Sequence, residues 1–187
     1  MSGLGRIGVF CGSSQAVDAA YLELAAGLGT AMAERGIGLV YGGGDTGLMG
    51  AVAAAVMSGG GNVTGVLPAD LFDNGITGDR ITNLELVGDM HERKSRMYEL
   101  SDGFIGLPGG LGTFEEIFEA ATWSQLGLHT EGRRKPVALL GHDDYWQPVQ
   151  DLLDRAEADH FMSADARSIV CGASSIDDAL DRVAASV

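Results

Sequence analysis

The run Pro108-Gly109-Gly110-Leu111-Gly112-Thr113 closes an apolar stretch and opens a helical pattern. Its three glycines let consecutive backbone N–H groups turn toward one anion at the positive end of a helix, which predicts a phosphate cradle. Thr113-Phe114-Glu115-Glu116 then has the form of a capping box, in which Glu116 need only reach back to a backbone N–H. A second use of Glu116 comes from its helical neighbours. Glu116, Glu119 and Trp123 recur at i, i+3 and i+7 and share a face, next to Thr122. A carboxylate one turn inside a phosphate-binding helix could face the sugar of a nucleotide, where an oxocarbenium centre develops during glycosidic cleavage. Glu115 is solvated, complements the helix dipole, or binds a sugar hydroxyl.

The segment from Asp89 carries a charge anomaly. Asp89 and Glu92 form a D-x-x-E analogue of the capping box, and Glu92, Arg96 and Glu99 define a solvent stripe. On the other side Met90, Arg93, Met97 and Leu100 form an apolar stripe that contains Arg93 and borders Lys94. Buried unpaired cations are costly, so these two either snorkel to the sheet edge or meet a bound anion or a carboxylate. A third loop, Gly42-Gly43-Gly44-Asp45-Thr46-Gly47, fits G-x-G-x-x-G, with Asp70 about twenty residues beyond Gly50. It follows the second predicted strand rather than the first, which weakens a dinucleotide reading. Its glycines either permit tight helix-on-strand packing or turn backbone N–H groups, those of Gly43 and Gly44 among them, toward a phosphate or sugar.

Other chemistry is disfavoured. A P-loop needs a lysine directly after glycine, and the only lysines are Lys94 and Lys135; the same scarcity disfavours a pyridoxal phosphate enzyme. Cys11 reads as a small buried residue, and no G-x-S-x-G elbow surrounds Ser13. His91, His129, His142 and His160 lack metal-ligand spacing and read as surface or loop residues, so no metal is expected. His142-Asp143-Asp144 is a polar turn or a pocket rim, and Arg133-Arg134-Lys135 reads as a solvated loop.

The elements that must position these groups alternate. Strands are predicted at 6–11, 37–41, 63–67, 84–87, 104–107, 136–140 and 169–170, with 71–83 irregular. Helices are predicted at 21–35, 48–57, 90–100, 114–126 and 146–158, with a last one from Ile176 introduced by Ser175. Strands apolar on both faces and separated by helices predict an α/β, Rossmann-like three-layer fold, its central parallel sheet covered by helices on both faces. Ligands in such sheets bind beyond the carboxyl ends of the strands, which singles out the loops at 12–14, 42–47, 89–94, 108–113 and 141–144. A length of 187 residues predicts one domain over 1–187, since chains usually divide only beyond about 250 residues.

Twelve basic against 26 acidic side chains give a net charge of −14, which makes nucleic acid and anionic membrane poor partners. The uncharged segment between Asp45 and Asp70 is broken by Ser58-Gly59-Gly60-Gly61-Asn62 and reads as a buried helix followed by a buried strand. Two cysteines without framework spacing, and an N-terminus without a signal-peptide pattern, predict a cytoplasmic protein.

Three motifs in order resemble the lonely guy family of cytokinin riboside 5′-monophosphate phosphoribohydrolases. They are Tyr41-Gly42-Gly43-Gly44 with Gly47-Leu48-Met49-Gly50, Met90-His91-Glu92-Arg93-Lys94, and Pro108 through Glu116. The resemblance runs from Cys11-Gly12-Ser13-Ser14 to Thr122-Trp123-Ser124-Gln125-Leu126-Gly127-Leu128-His129. It implies hydrolysis of a nucleoside 5′-monophosphate to free base and ribose 5-phosphate, without a cofactor, by a homodimer or larger homo-oligomer. It implies catalytic roles for Arg93 and Glu116. It implies substrate contacts from Lys94, Thr122 and the loop at Gly109, Gly110, Leu111, Gly112 and Thr113, with Met90 near the base. The chain departs from the family pattern around 73–80 and at 131–134. The competing expectation is a carrier or sensor that binds a nucleotide or phosphorylated cofactor without turning it over; the glycines serve it equally well, and Glu116 with Arg93 separates the two.

Overall fold

The computed structural model describes residues 5–72 and 80–184. In chain order the elements are β1 (Arg6–Phe10), α1 (Ala19–Glu34), β2 (Gly38–Tyr41), α2 (Gly47–Ser58), β3 (Val63–Pro68), α3 (Ala69–Phe72), β4 (Asn83–Val87) and α4 (Met90–Leu100). There follow β5 (Gly103–Gly106), α5 (Leu111–Leu126), β6 (Val137–Leu140), α6 (Gln147–Ala158), α7 (Ala164–Arg167), β7 (Val170–Ala173) and α8 (Ile176–Ala184). The strands form one parallel sheet in the order β4-β3-β2-β1-β5-β6-β7.

Successive strand residues point to opposite faces, and both faces are buried. Ile7, Val9, Leu39, Tyr41, Ala138 and Leu140 meet α1, α2 and α8 on one side. Phe10, Val40, Val66, Phe104, Val137 and Leu139 meet α4, α5 and the Leu153 end of α6 on the other. These are the three layers expected from the sequence, and the uncharged segment between Asp45 and Asp70 contributes α2 and β3 as a helix and a strand. The strand order reverses between β1 and β5, because β2 to β4 are added on one side of β1 and β5 to β7 on the other. A crevice opens at such a switch point, beyond the carboxyl ends of the two strands.

Local signals act where they were expected at α4 and α8. Asp89 Oδ1 accepts from the N–H groups of His91 and Glu92, Glu92 Oε2 accepts from Gly88 N–H, and Ser175 Oγ accepts from Asp178 N–H. Three expectations are overturned. The helix predicted from Phe114 starts at Leu111, with Gly110 as its extended N-cap and no side-chain cap, so Thr113 lies in the first turn and no capping box forms. His129 lies in the loop after α5 but not at the surface: it is buried, its ring packed against Tyr98, Phe104 and Trp123. Lys135 is buried too rather than solvated: Nζ donates to Tyr98 O at 2.7 Å, and its backbone is clasped by Ser124 Oγ. Both bond backbone carbonyls of the neighbouring helices, His129 that of Ala120 on α5 and Lys135 that of Tyr98 on α4, a tertiary contact invisible in a local window. The short α3 and α7 also escaped the periodicity reading, being too brief to show a period.

Candidate active site

Three loops at the carboxyl edge are laced together by main chain. Gly12 N–H donates to Pro108 O at 3.0 Å, Leu48 N–H donates to Gly12 O at 3.0 Å, and Thr46 Oγ1 donates to Ser13 O at 2.9 Å. The lacing demands glycine at specific points. A Cβ on Gly109 would lie 2.1 Å from Thr113 Oγ1 and 2.9 Å from Gly12 N, so the loop can approach the first turn of α5 only without one. At Gly110 and Gly112, by contrast, a Cβ would meet nothing within 4 Å, and Leu111 is 85% exposed. The first-turn N–H groups of α5 therefore face an open crevice without a side-chain cap, with the dipole adding partial positive charge.

One turn further along, Glu116 Oε1 accepts from Arg93 Nη1 at 3.0 Å, and the two side chains are 12% and 11% exposed. Arg93 is also held by Val66 O, which accepts from Nε at 3.0 Å. The Nη2 end of its guanidinium abuts the chain just after β2: a Cβ on Gly42 would fall 1.8 Å from Nη2 and 3.0 Å from Cζ. That contact gives Gly42 a use unrelated to dinucleotides. Of the open alternatives for the cations, the structure selects carboxylates. Lys94 Nζ is paired with Glu115 and, at 2.8 Å, with Glu119, which also accepts from Tyr98 OH at 2.7 Å. Arg93 and Lys94 on α4 thus face Glu115, Glu116 and Glu119 on α5, three negative charges against two positive.

Burial raises the Glu116 carboxyl above its ordinary range, against the pull of Arg93. Burial of Lys94 works against its charge, and its hydrogen bonds to Glu115 and Glu119 outweigh that and hold its ammonium protonated. Cys11 lies at the end of β1, buried; burial first and the Glu116 charge second push its thiol far up, so it is inert.

Around this centre, a cavity of about 380 Å³ at the β1–β5 switch point is lined by Ser13, Tyr21, Leu48, Pro108, Gly110 and Tyr145 among others. A second, of about 310 Å³, is lined by Gly43, Gly44, Asp45, Met57 and Ile81 among others. Met90 stands half exposed at the start of α4. Arg93, Lys94, Glu115, Glu116 and the 109–113 loop are therefore gathered at one edge. Thr122 is not: its hydroxyl donates to Phe118 O and it lines a cleft with Gln125, Leu153 and Met162, turned toward α6 and α7. Tyr145 was missed by sequence reasoning, since nothing local links it to residue 109. Among the described residues no group of three or more His, Cys, Asp or Glu could hold a metal ion. The stretch 73–79, where the chain departs from the family pattern, lies outside the described residues.

A parallel sheet with its switch point at the central strands, and an uncapped helix N-terminus opening onto that crevice, defines a Rossmann-like α/β protein. Residues 49–183 match the family model described as possible lysine decarboxylase. The probable cytokinin riboside 5′-monophosphate phosphoribohydrolase LOGL1 of Oryza sativa subsp. japonica is 48% identical over 169 residues, 90% of this chain and 74% of that protein. The cytokinin riboside 5′-monophosphate phosphoribohydrolase LOG4 of Arabidopsis thaliana is 46% identical over 172 residues, 92% of this chain and 78% of that one. The molybdenum cofactor binding protein of Rippkaea orientalis superposes with a TM-score of 0.72 at 25% identity, covering 97% of this chain and 96% of that chain. The molybdenum cofactor carrier protein of Chlamydomonas reinhardtii gives 0.71 at 22%, covering 96% and 95%, a likeness of fold alone. The chain belongs to the lonely guy family.

Proposed function

We propose that this protein is a phosphoribohydrolase that cleaves the N-glycosidic bond of cytokinin riboside 5′-monophosphates or of AMP-like nucleotides, releasing free base and ribose 5-phosphate. The observation that carries the reading is the buried Arg93–Glu116 pair one turn inside an uncapped helix N-terminus. The N–H groups of Gly110, Leu111, Gly112 and Thr113 hold the 5′-phosphate, with Gly109 giving the loop its close approach. That anchors the ribose one turn along α5, beside Glu116. As the bond to the base lengthens, positive charge grows on the anomeric carbon, and a carboxylate in a poorly hydrated site stabilises it more than one in water would. Glu116 also orients the attacking water. Arg93 favours the charged form of Glu116 against the effect of burial and keeps the carboxylate aimed, a position it can hold because Val66 O and the bare face of Gly42 fix its guanidinium. Lys94 orients Glu115 toward the sugar hydroxyls, Met90 borders the base, and Gly43 and Gly44 offer backbone N–H groups to the phosphate or sugar. No resident cofactor is required by these steps.

The carrier alternative draws on the fold alone, whereas the relatives at 46–48% identity are hydrolases by name. Mere binding gives no reason to bury a carboxylate and guanidinium together beside the anion site. We also propose that the protein works as a homodimer or larger homo-oligomer; a binding role for Thr122 requires a neighbouring chain, because within one chain it faces α6 and α7. The deciding experiment incubates AMP and isopentenyladenosine monophosphate with the protein and assays free base and ribose 5-phosphate. Tight binding with neither product would replace the hydrolase reading by the carrier.

A further inference from the structure

The loop between β6 and α6 reaches across the switch point to the phosphate cradle. Tyr145 OH donates to Gly109 O at 2.5 Å. The two aspartates before it, Asp143 and Asp144, have φ of 50° and 56°, a left-handed conformation that is strained for a residue with a side chain and persists only where its surroundings enforce it. The enforcement is visible. Tyr145 N–H donates to His142 O, Gln147 N–H donates to Asp144 O, and Trp146 Nε1 donates to Leu140 O at 3.2 Å. The Tyr145 ring stands edge-on to Tyr21 and Trp146, and Trp146 packs in turn on Phe114 in the first turn of α5. The strained pair thus turns the chain back over the sheet edge and aims one hydroxyl at one carbonyl.

That carbonyl belongs to the peptide joining Gly109 to Gly110. In a planar trans peptide the C=O and the following N–H point in opposite directions, so a bond that fixes the Gly109 oxygen also fixes the direction of the Gly110 N–H. Glycines on both sides leave this peptide otherwise free to rotate. We infer that Tyr145 is a positioning residue for the anion site: by holding the Gly109 carbonyl toward the β6–α6 loop, it keeps the Gly110 amide aimed at a bound phosphoryl group. The inference rests on the proposed phosphate site at 110–113 and is independent of whether the bound nucleotide is cleaved.

The test is Tyr145→Phe, which removes the hydroxyl and leaves the ring contacts with Tyr21 and Trp146. Dissociation constants for AMP and for adenosine are measured on the unsubstituted protein and the variant, with a thermal melt of each. A single hydrogen bond and the amide it orients predict AMP binding weakened about three- to tenfold, with adenosine affinity and melting temperature unchanged. Equal AMP affinity in the two proteins, parallel loss of AMP and adenosine binding, or an unsubstituted protein that binds AMP no better than adenosine would each overturn the inference. AMP bound normally but left intact by the unsubstituted protein would defeat the hydrolase reading alone and leave this one standing.

Discussion

Arg93 and Glu116 each give up water on burial and recover part of that loss only through one another. Breaking a buried pair leaves an uncompensated charge, so the single changes are not independent. Glu116→Gln is expected to lower the rate of adenine release from AMP by about 10²- to 10³-fold, the usual loss when one preorganised charged group is removed from a reacting centre. Arg93→Ala should fall in the same range, and the double variant should lose much less than the product of the two. Full activity in both single variants would show that neither residue has the role assigned. Gly42→Ala belongs to the same argument. Its Cβ would occupy the space of Arg93 Nη2, the far end of a flexible side chain, so the fold can yield while the guanidinium is displaced. Its expected result is the activity of an Arg93 variant, with a melting temperature lowered no further than in Arg93→Ala.

The α4–α5 pair is the element on which the site depends, and it is closed at the far end by residues remote from the chemistry. Lys135 Nζ donates to the last turn of α4 at Tyr98 O, and Ser124 Oγ on α5 clasps the Lys135 backbone. His129 Nε2 lies 3.1 Å from Ala120 O; since a carbonyl only accepts, the proton sits on Nε2. Burial lowers the His129 pKa to about 4 from an ordinary value of 6.5, its bond to Ala120 O opposing and the Lys135 charge assisting. Between those values the unfolded chain takes up a proton that the folded chain refuses. Stability from His129 is thus present above about pH 6.5 and lost as pH falls toward 4, a change of roughly 2–3 kcal/mol. Denaturant titrations at pH 7 and pH 4.5 should show a smaller acid loss in His129→Gln than in the parent. Identical losses would mean that the imidazole titrates normally.

At the scale of the molecule, a net charge of −14 surrounds an acidic site that, on the proposed reading, receives an anion. Main chain suits that proposed task, because its N–H groups carry no net charge to be neutralised by neighbouring carboxylates. No described helix is long and apolar enough to cross a membrane. Leu111, Phe118 and Leu126 on α5, with Leu152 and Phe161 nearby in sequence on and after α6, leave large apolar side chains in water. Exposed apolar surface of this kind favours association between copies. Light scattering at micromolar concentration is expected to give a mass of two chains or more, and a monomer would remove the homo-oligomer proposal and with it any role for Thr122.

Much of this was decided by local chemistry. Apolar runs cut by glycines set the three-layer parallel fold, Asp89 capped α4 as its type dictates, Arg93 stood out as a charge on an apolar stripe, and Glu116 as a carboxylate one turn inside a glycine-rich helix start. Pairwise contacts between distant segments were decided only in three dimensions. Whether Arg93 and Lys94 would meet solvent, a ligand or carboxylates, why Gly42 has no side chain, and which hydroxyl reaches Gly109 all depend on how α4, α5 and the β6–α6 loop converge at the sheet edge. His129 and Lys135 show the same limit: their types suggest a surface, and they are buried where the carbonyls of Ala120 and Tyr98 supply hydrogen-bond partners. A sequence records each residue's own preference, while burial of a polar group is settled by the partner that the fold brings to it.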